Sequence, residues 1–282
     1  MTKLLAVDLD GTLLRRNGEV DERDAAAIAR VQARGIPITI VTGRLFAGTR
    51  AFAEQLGIRG PVACADGAQL VRAADGHELA HLGIAGRAAA CLHEQLAPLA
   101  AATFALYDEG VLYDGRGAAM TRYVRSWTPK LEEVDNLFEH VCWQSRRGIS
   151  GLVVVGLEAD VGDTPAELRT TGLFEVTDFV LRRTPSGETL PATRAMLIHA
   201  RGATKGTAVE RLAEHYGCRA DDVTAVGDWL NDVDMFRVAG RSFVMAHAPA
   251  AVQAAATDVL EADGESGGGV AETIDALWPE EE

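Results

Sequence analysis

The stretch Leu4-Leu5-Ala6-Val7-Asp8-Leu9-Asp10-Gly11-Thr12 decides the fold. Leu4 to Val7 show no polar alternation, which predicts a short strand buried on both faces of a parallel sheet. The run then breaks into carboxylates. Open α/β sheets bind ligands at the carboxyl ends of their strands, so both acids fall where such sheets place their chemistry. Strand periodicity sends Asp8 and Asp10 to the same side, and Gly11 permits a sharp turn behind them.

Outward from this strand, Asp21 to Arg34 is rich in alanine, opens on acids that suit a helix N-terminus and stops at Gly35. Ile36 to Val41 reads as a second buried strand running directly into Thr42, Gly43 and Arg44, followed by a helix from Leu45 to Leu56. Strand, helix, strand and helix in quick succession mark βαβ units. Pro61 to Cys64 is a third strand, and Asp75-Gly76 is the turn of a hairpin between Gln69–Arg72 and His77–Leu82.

From about Gly83 to Arg194 the character changes. This segment holds Trp127, Trp143 and three of the four tyrosines, with strands expected at Gly151–Leu157 and Phe179–Arg182. The βα alternation returns near Ala195: helix Thr204–His215, strand Val223–Val226, helix Asn231–Val238, strands Ser242–Ala246 and Thr257–Leu260, and a closing helix Val270–Leu277. The expected architecture is therefore α/β: a Rossmann-like, mostly parallel core (1–82 and 195–282) carrying an inserted α/β cap domain (83–194).

Composition narrows the partners. In 282 residues, 27 Lys and Arg face 41 Asp and Glu, a net charge of -14. Such a surface repels phosphate backbones, so nucleic acid and anionic membranes are not expected partners, and a site for an anion must build its own positive field. Cys64, Cys91, Cys142 and Cys218 form no CxxC pair or dense framework and read as reduced thiols. Asp8 and Asp10 stand where a signal peptide would be apolar, and Ile149–Leu157 is too short to span a bilayer. A cytoplasmic protein, monomeric or a small homo-oligomer, is expected.

Four spots fall at strand ends or helix starts: Asp8 with Asp10, Thr42 with Gly43, Lys205, and Gly227-Asp228-Trp229-Leu230-Asn231-Asp232. Together they supply the parts for phosphoryl transfer. Carboxylate oxygens suit Mg²⁺. Lys205 can neutralise a phosphate oxygen, and Thr42 with nearby backbone N–H groups can bind the others. One aspartate is left to attack phosphorus.

DLDGTLL at Asp8–Leu14, VTGR at Val41–Arg44, Lys205 in ATKGTAV and GDWLNDVDMF at Gly227–Phe236 resemble, in order and spacing, the four motifs of the haloacid-dehalogenase-like superfamily. The long insertion after the third strand is similar to the Cof-type subgroup, subclass IIB. The resemblance implies that Asp8 is the nucleophile, forming an aspartyl-phosphate, and that Asp10 protonates the leaving oxygen and then activates water. It implies Mg²⁺ held by the Asp8 carboxylate, the Asp10 carbonyl, Asp228 and Asp232, with the phosphoryl group on Thr42, Gly43, Lys205, Asn231 and the Leu9 N–H. The expected function is hydrolysis of small phosphorylated metabolites, sugar phosphates first among them. The alternatives are a phosphomutase or phosphotransferase using the same aspartyl-phosphate, and a phosphorylation-switched binding module.

Three residues depart from the family's pattern: Asp66 and His247, where asparagine is usual, and the bulky Trp229. They bear on the leaving-group side of the pocket. Two other motifs are declined. His77-Glu78-Leu79-Ala80-His81 spells HExxH, but zinc needs both histidines on one helix face and Asp75-Gly76 starts a strand here. Gly264-Glu265-Ser266-Gly267-Gly268 matches G-x-S-x-G without a buried strand entering the serine, and reads as a flexible loop.

Overall fold

In a computed structural model, residues 2–183 and 189–279 are described. The expected insertion (83–194) and the closing segment (195–282) each contain a few residues outside that set. In chain order the first elements are β1 (Leu4–Val7), α1 (Glu22–Ala33), β2 (Ile38–Ile40), α2 (Phe46–Gln55), β3 (Pro61–Cys64), β4 (Gln69–Arg72) and β5 (His77–His81). The middle of the chain forms α3 (Gly86–Leu96), β6 (Ala102–Tyr107), β7 (Gly110–Tyr113), α4 (Thr121–Val124), β8 (Leu131–Glu133), β9 (Gly151–Leu157), α5 (Glu158–Val161), α6 (Thr164–Thr170), β10 (Phe174–Arg183) and β11 (Thr189–Ala200). The last part gives α7 (Lys205–His215), β12 (Val223–Gly227), α8 (Val233–Val238), β13 (Arg241–Val244), α9 (Ala250–Gln253), β14 (Asp258–Val259) and α10 (Gly269–Leu277).

The chain divides into two compact units. The first comprises 1–43, 49–79 and 204–282; the second comprises 44–48 and 80–203. In the first, five parallel strands run in the order β14-β13-β12-β1-β2. All four residues of β1 are fully buried, the burial that its unbroken apolar run calls for. In α1, Asp24, Ala27, Ile28 and Val31 are the buried positions, spaced three or four apart as one helix face requires. Asp21 caps this helix by accepting the Arg23 N–H at 2.9 Å. Asp24, buried, accepts the Gly268 and Ala271 N–H groups at 3.0 and 2.7 Å, so α1 also caps α10.

The sheet order places the site. From β1 the chain moves to β2 on one side and returns through β12 on the other, making β1 the topological switch point where open sheets bind ligands. Val7 sits level with Ile40 and Val226, and Gly227 with Val244. The residues that follow, Asp8, Val41-Thr42 and Asp228, therefore leave adjoining strands at one edge. β3 touches β2's extension through a single parallel Val41–Ala63 bridge and pairs antiparallel with β4 in a separate β3-β4-β5 sheet.

The second unit is a six-stranded sheet, β10-β11-β9-β6-β7-β8, antiparallel except for the β7–β8 pair. Its core includes Leu92 and Leu96 of α3 with Leu152, Val154, Met196 and Ile198. Ala195 to Ala200 belong to this sheet: they pair with β10 throughout, and Ala195 to Ile198 pair also with β9. The chain accordingly re-enters the first unit at 204 rather than at 195, because the last strand of the insertion runs on through Ala200. The HELAH segment is β5, a strand, so its histidines lack the helical register that a zinc-protease site needs.

Candidate active site

Four of the residues singled out in the sequence meet in one buried group. β1 ends at Val7, and the chain then turns tightly, with the Leu13 and Leu14 N–H groups both donating to the Leu9 carbonyl. Asp8 is buried, whereas Asp10 is exposed. On the next strand, β12, the chain emerges as Gly227-Asp228. Lys205 comes from the first turn of α7, capped by Thr204, whose hydroxyl accepts the Thr207 N–H at 3.1 Å. Lys205 is only 2% exposed. Its Nζ donates to Asp8 Oδ1 at 2.5 Å and to Asp232 Oδ1 at 2.6 Å. The other Asp232 oxygen accepts the Asp228 and Trp229 N–H groups, both at 2.8 Å.

Small residues let these groups approach. A Cβ on Gly11, whose φ of +83° already favours glycine, would stand 2.4 Å from Asp228 Oδ2, and one on Gly227 would stand 2.5 Å from the Asp232 carboxyl carbon. Thr12 Oγ1 donates to Asp228 Oδ1 at 3.2 Å, and His247 Nε2 lies 3.1 Å from Asp228 Oδ2. Thr12, which carries no role in the sequence pattern, is thus brought against Asp228. His247, one of the departures from the family's pattern, lies against Asp228.

The electrostatics of the group are unbalanced. Burial pushes the Asp8 carboxyl well up; Lys205 opposes this, while Asp232 and Asp228 add to it. Asp232 is raised for the same leading reason. Lys205 would be lowered by its own burial, but Asp232, Asp8 and Asp66 outweigh that and hold it protonated. An ion pair at ~4 Å with an effective dielectric near 20 is worth about 4 kcal/mol, comparable with the desolvation cost of one buried ion. One ammonium cannot offset three buried acids. Among the described residues, Asp8, Asp228 and Asp232 can each offer one carboxylate oxygen to a common point, these three oxygens lying within 4.8 Å of one another. Three hard oxygen donors with two negative charges left over fit a small divalent cation such as Mg²⁺.

A second group adjoins the first. Thr42 is buried after β2, its carbonyl accepting the Asp66 N–H at 3.0 Å. Ala65, Asp66 and Gly67 all have positive φ, of 48°, 50° and 92°. This left-handed turn carries the Asp66 carboxylate to Gly43, where a Cβ would lie 3.4 Å from Oδ1. Asp66 Oδ1 also accepts Asn231 Nδ2 at 2.8 Å. Asp66 thus adjoins two of the expected phosphate-binding positions, a link that the sequence did not show. Asp234, three residues beyond Asn231, pairs with Arg237 as an ordinary helix-start acid.

The haloacid dehalogenase-like hydrolase family matches residues 5–141 and 192–274. The chain is 28% identical over 294 residues to the 5-amino-6-(5-phospho-D-ribitylamino)uracil phosphatase YwtE of Bacillus subtilis, covering 98% of each. A haloacid dehalogenase-like hydrolase structure from B. subtilis superposes with a TM-score of 0.81 at 22% identity, covering 98% of this chain and 100% of that one. The subclass IIB sugar phosphatase BT4131 does so with a TM-score of 0.77 at 18% identity, covering 98% and 99%. No helix among the described residues is long and apolar enough to cross a membrane. The chain belongs to the haloacid dehalogenase-like hydrolase family and is an enzyme of that family.

Proposed function

We propose that this enzyme is a Mg²⁺-dependent phosphatase of small phosphorylated metabolites, sugar phosphates above all, working through an aspartyl-phosphate on Asp8. The observation that carries this reading is the buried surplus of acid around Lys205. A protein that needed only stability would not bury three carboxylates against one ammonium, because uncompensated buried charge costs several kcal/mol per ion. The named relatives support the substrate class: one is a phosphatase of a phospho-ribityl compound, another a sugar phosphatase.

Asp8, Asp228, Asp232 and the Asp10 carbonyl would hold Mg²⁺, which would supply positive charge to the phosphoryl oxygens and would keep Asp8 ionised. Lys205, Thr42, Gly43, Asn231 and the Leu9 N–H bind and orient the phosphoryl group. An Asp8 carboxylate oxygen attacks phosphorus as the ester P–O bond breaks, and the protonated Asp10 carboxyl gives its proton to the departing oxygen. Asp10, now a carboxylate, takes a proton from water. That water attacks phosphorus, the acyl-phosphate P–O bond breaks, and Asp8 is returned with inorganic phosphate. The exposure of Asp10 beside a buried Asp8 suits an acid/base that meets both leaving group and solvent.

The test is product analysis with a panel of phosphorylated metabolites. Mg²⁺-dependent release of inorganic phosphate from several sugar phosphates is the expected result. Isomer formation without free phosphate would replace hydrolysis by a mutase reaction, and no turnover of any phosphomonoester would overturn the reading.

A further inference from the structure

His247 is placed by two hydrogen bonds that together define its role. The backbone N–H of Gly264 donates to its Nδ1 at 2.9 Å. A nitrogen that accepts carries no proton, so the neutral ring carries its proton on Nε2. Nε2 faces Asp228 Oδ2 at 3.1 Å and is therefore a donor to that carboxylate. The opposite oxygen, Oδ1, receives the Thr12 hydroxyl. Asp228 is thus held from both sides, by a hydroxyl and by an uncharged N–H.

The Gly264 peptide that sets this tautomer is itself fixed. Its carbonyl accepts the Arg16 N–H at 3.0 Å. Asp263 turns the loop by accepting the Glu265 and Ser266 N–H groups at 2.9 and 2.7 Å, and Ser266 Oγ accepts the Asp263 N–H at 3.0 Å. A Cβ at 264 would lie 3.2 Å from His247 Cε1, closer than side chains ordinarily pack. The G-x-S-x-G stretch therefore has a structural use unrelated to a nucleophilic serine. Its first glycine admits the imidazole and aims an N–H at it, and its serine closes the turn.

We propose that His247 is a positioning residue for Asp228: a neutral imidazole, its tautomer set by the Gly264 N–H, that keeps the carboxylate turned toward Asp8 and Asp232 in the geometry a divalent cation needs. This rests on the metal reading given above. A neutral donor orients the ligand without adding positive charge that would compete with the cation. Outer partners of metal ligands are worth roughly 10–100-fold in metal affinity.

The test uses substrate-free enzyme and reads Mg²⁺ affinity from the rise in melting temperature with Mg²⁺ concentration. His247→Met keeps the bulk and removes the donor; His247→Gln keeps an N–H at similar reach. We expect Met to weaken Mg²⁺ binding by roughly 10–100-fold, and Gln to restore it to within about threefold. In activity assays the Mg²⁺ requirement should rise for Met, while kcat at saturating Mg²⁺ changes little. A parent enzyme with no Mg²⁺ response would overturn the metal reading itself, before any variant is made. A parent that responds, with Met equal to it or with Gln as weak as Met, would overturn the role of His247 alone.

Discussion

Each of the two units buries an aspartate, and the two are stabilised in opposite ways. In the second unit, Asp114 is enclosed by partners: the Arg116 N–H, Nε and Nη2 and the Leu137 N–H donate to it at 3.1, 3.1, 2.7 and 3.2 Å. Burial would raise its carboxyl, but these donors outweigh burial and hold it below the usual range. In the first unit, Asp8 shares one ammonium with Asp232, lies near Asp228 as well, and is pushed up. Asp114 is a finished structural contact, closing β7 against the segment before Leu137. The Asp8 group carries more buried acid than its one ammonium can offset, and the proposed cation would complete it.

The largest effect that can break this contrast is on turnover. Asp8→Asn should lower kcat by roughly 10⁴-fold or more, as loss of a nucleophile does, with the fold intact by circular dichroism. Asp10→Asn should cost roughly 10²–10⁴-fold and leave Mg²⁺-induced stabilisation unchanged. Near-normal steady-state rates in either variant would remove the role given to that residue.

The next effect is on stability. Lys205→Met takes away the one ammonium, so the variant should lose about 3–5 kcal/mol in chelator, the usual cost of breaking a buried pair. Much of that loss should return with Mg²⁺, measured by urea unfolding with and without the ion. A loss that Mg²⁺ leaves untouched would show that the three acids do not share a cation.

Asp24 lies between the two extremes. It has two N–H donors, and burial pushes its carboxyl from 3.8 up to about 6. A raised carboxyl means that the folded state holds the proton more tightly than the unfolded one. Its stabilising contribution is full below about pH 4 and is lost as pH rises through about 6. Relative to Asp24→Asn, the parent should therefore lose up to about 3 kcal/mol between pH 4 and pH 7, at 1.36 kcal/mol per pKa unit. A gap that widens in the parent's favour would reverse the sign. The smallest effect is expected at Asp114: Asp114→Asn should cost about 1–3 kcal/mol of stability, with Mg²⁺ affinity unchanged in the same melting assay.

What could be read from the sequence follows the same division. β1, β2 and β12 are short runs buried on both faces, so composition alone marks them, and the site lies where they end. The end of the insertion was harder to place. β11 runs from Thr189 to Ala200 with exposed residues in its first half, so its buried half, near Ala195, resembled a new beginning. That Asp10 is exposed while Asp8 is buried could not be read from a two-residue period, because the strand stops at Val7. His247 and Gly264 could be seen only as an unusual residue and a glycine-rich loop. Their hydrogen bond joins positions 17 apart that come together because β13 and the segment after β14 end at the same edge as β1.

The most direct test is to mix the enzyme with Mg²⁺ and a sugar phosphate that it turns over, quench in acid within one turnover, and map the peptides by mass spectrometry. The account predicts a phosphoryl group on Asp8, in the peptide that carries Asp8 and Asp10, and none in Asp8→Asn. Turnover with no phosphoryl adduct, or an adduct on any other residue, would contradict it.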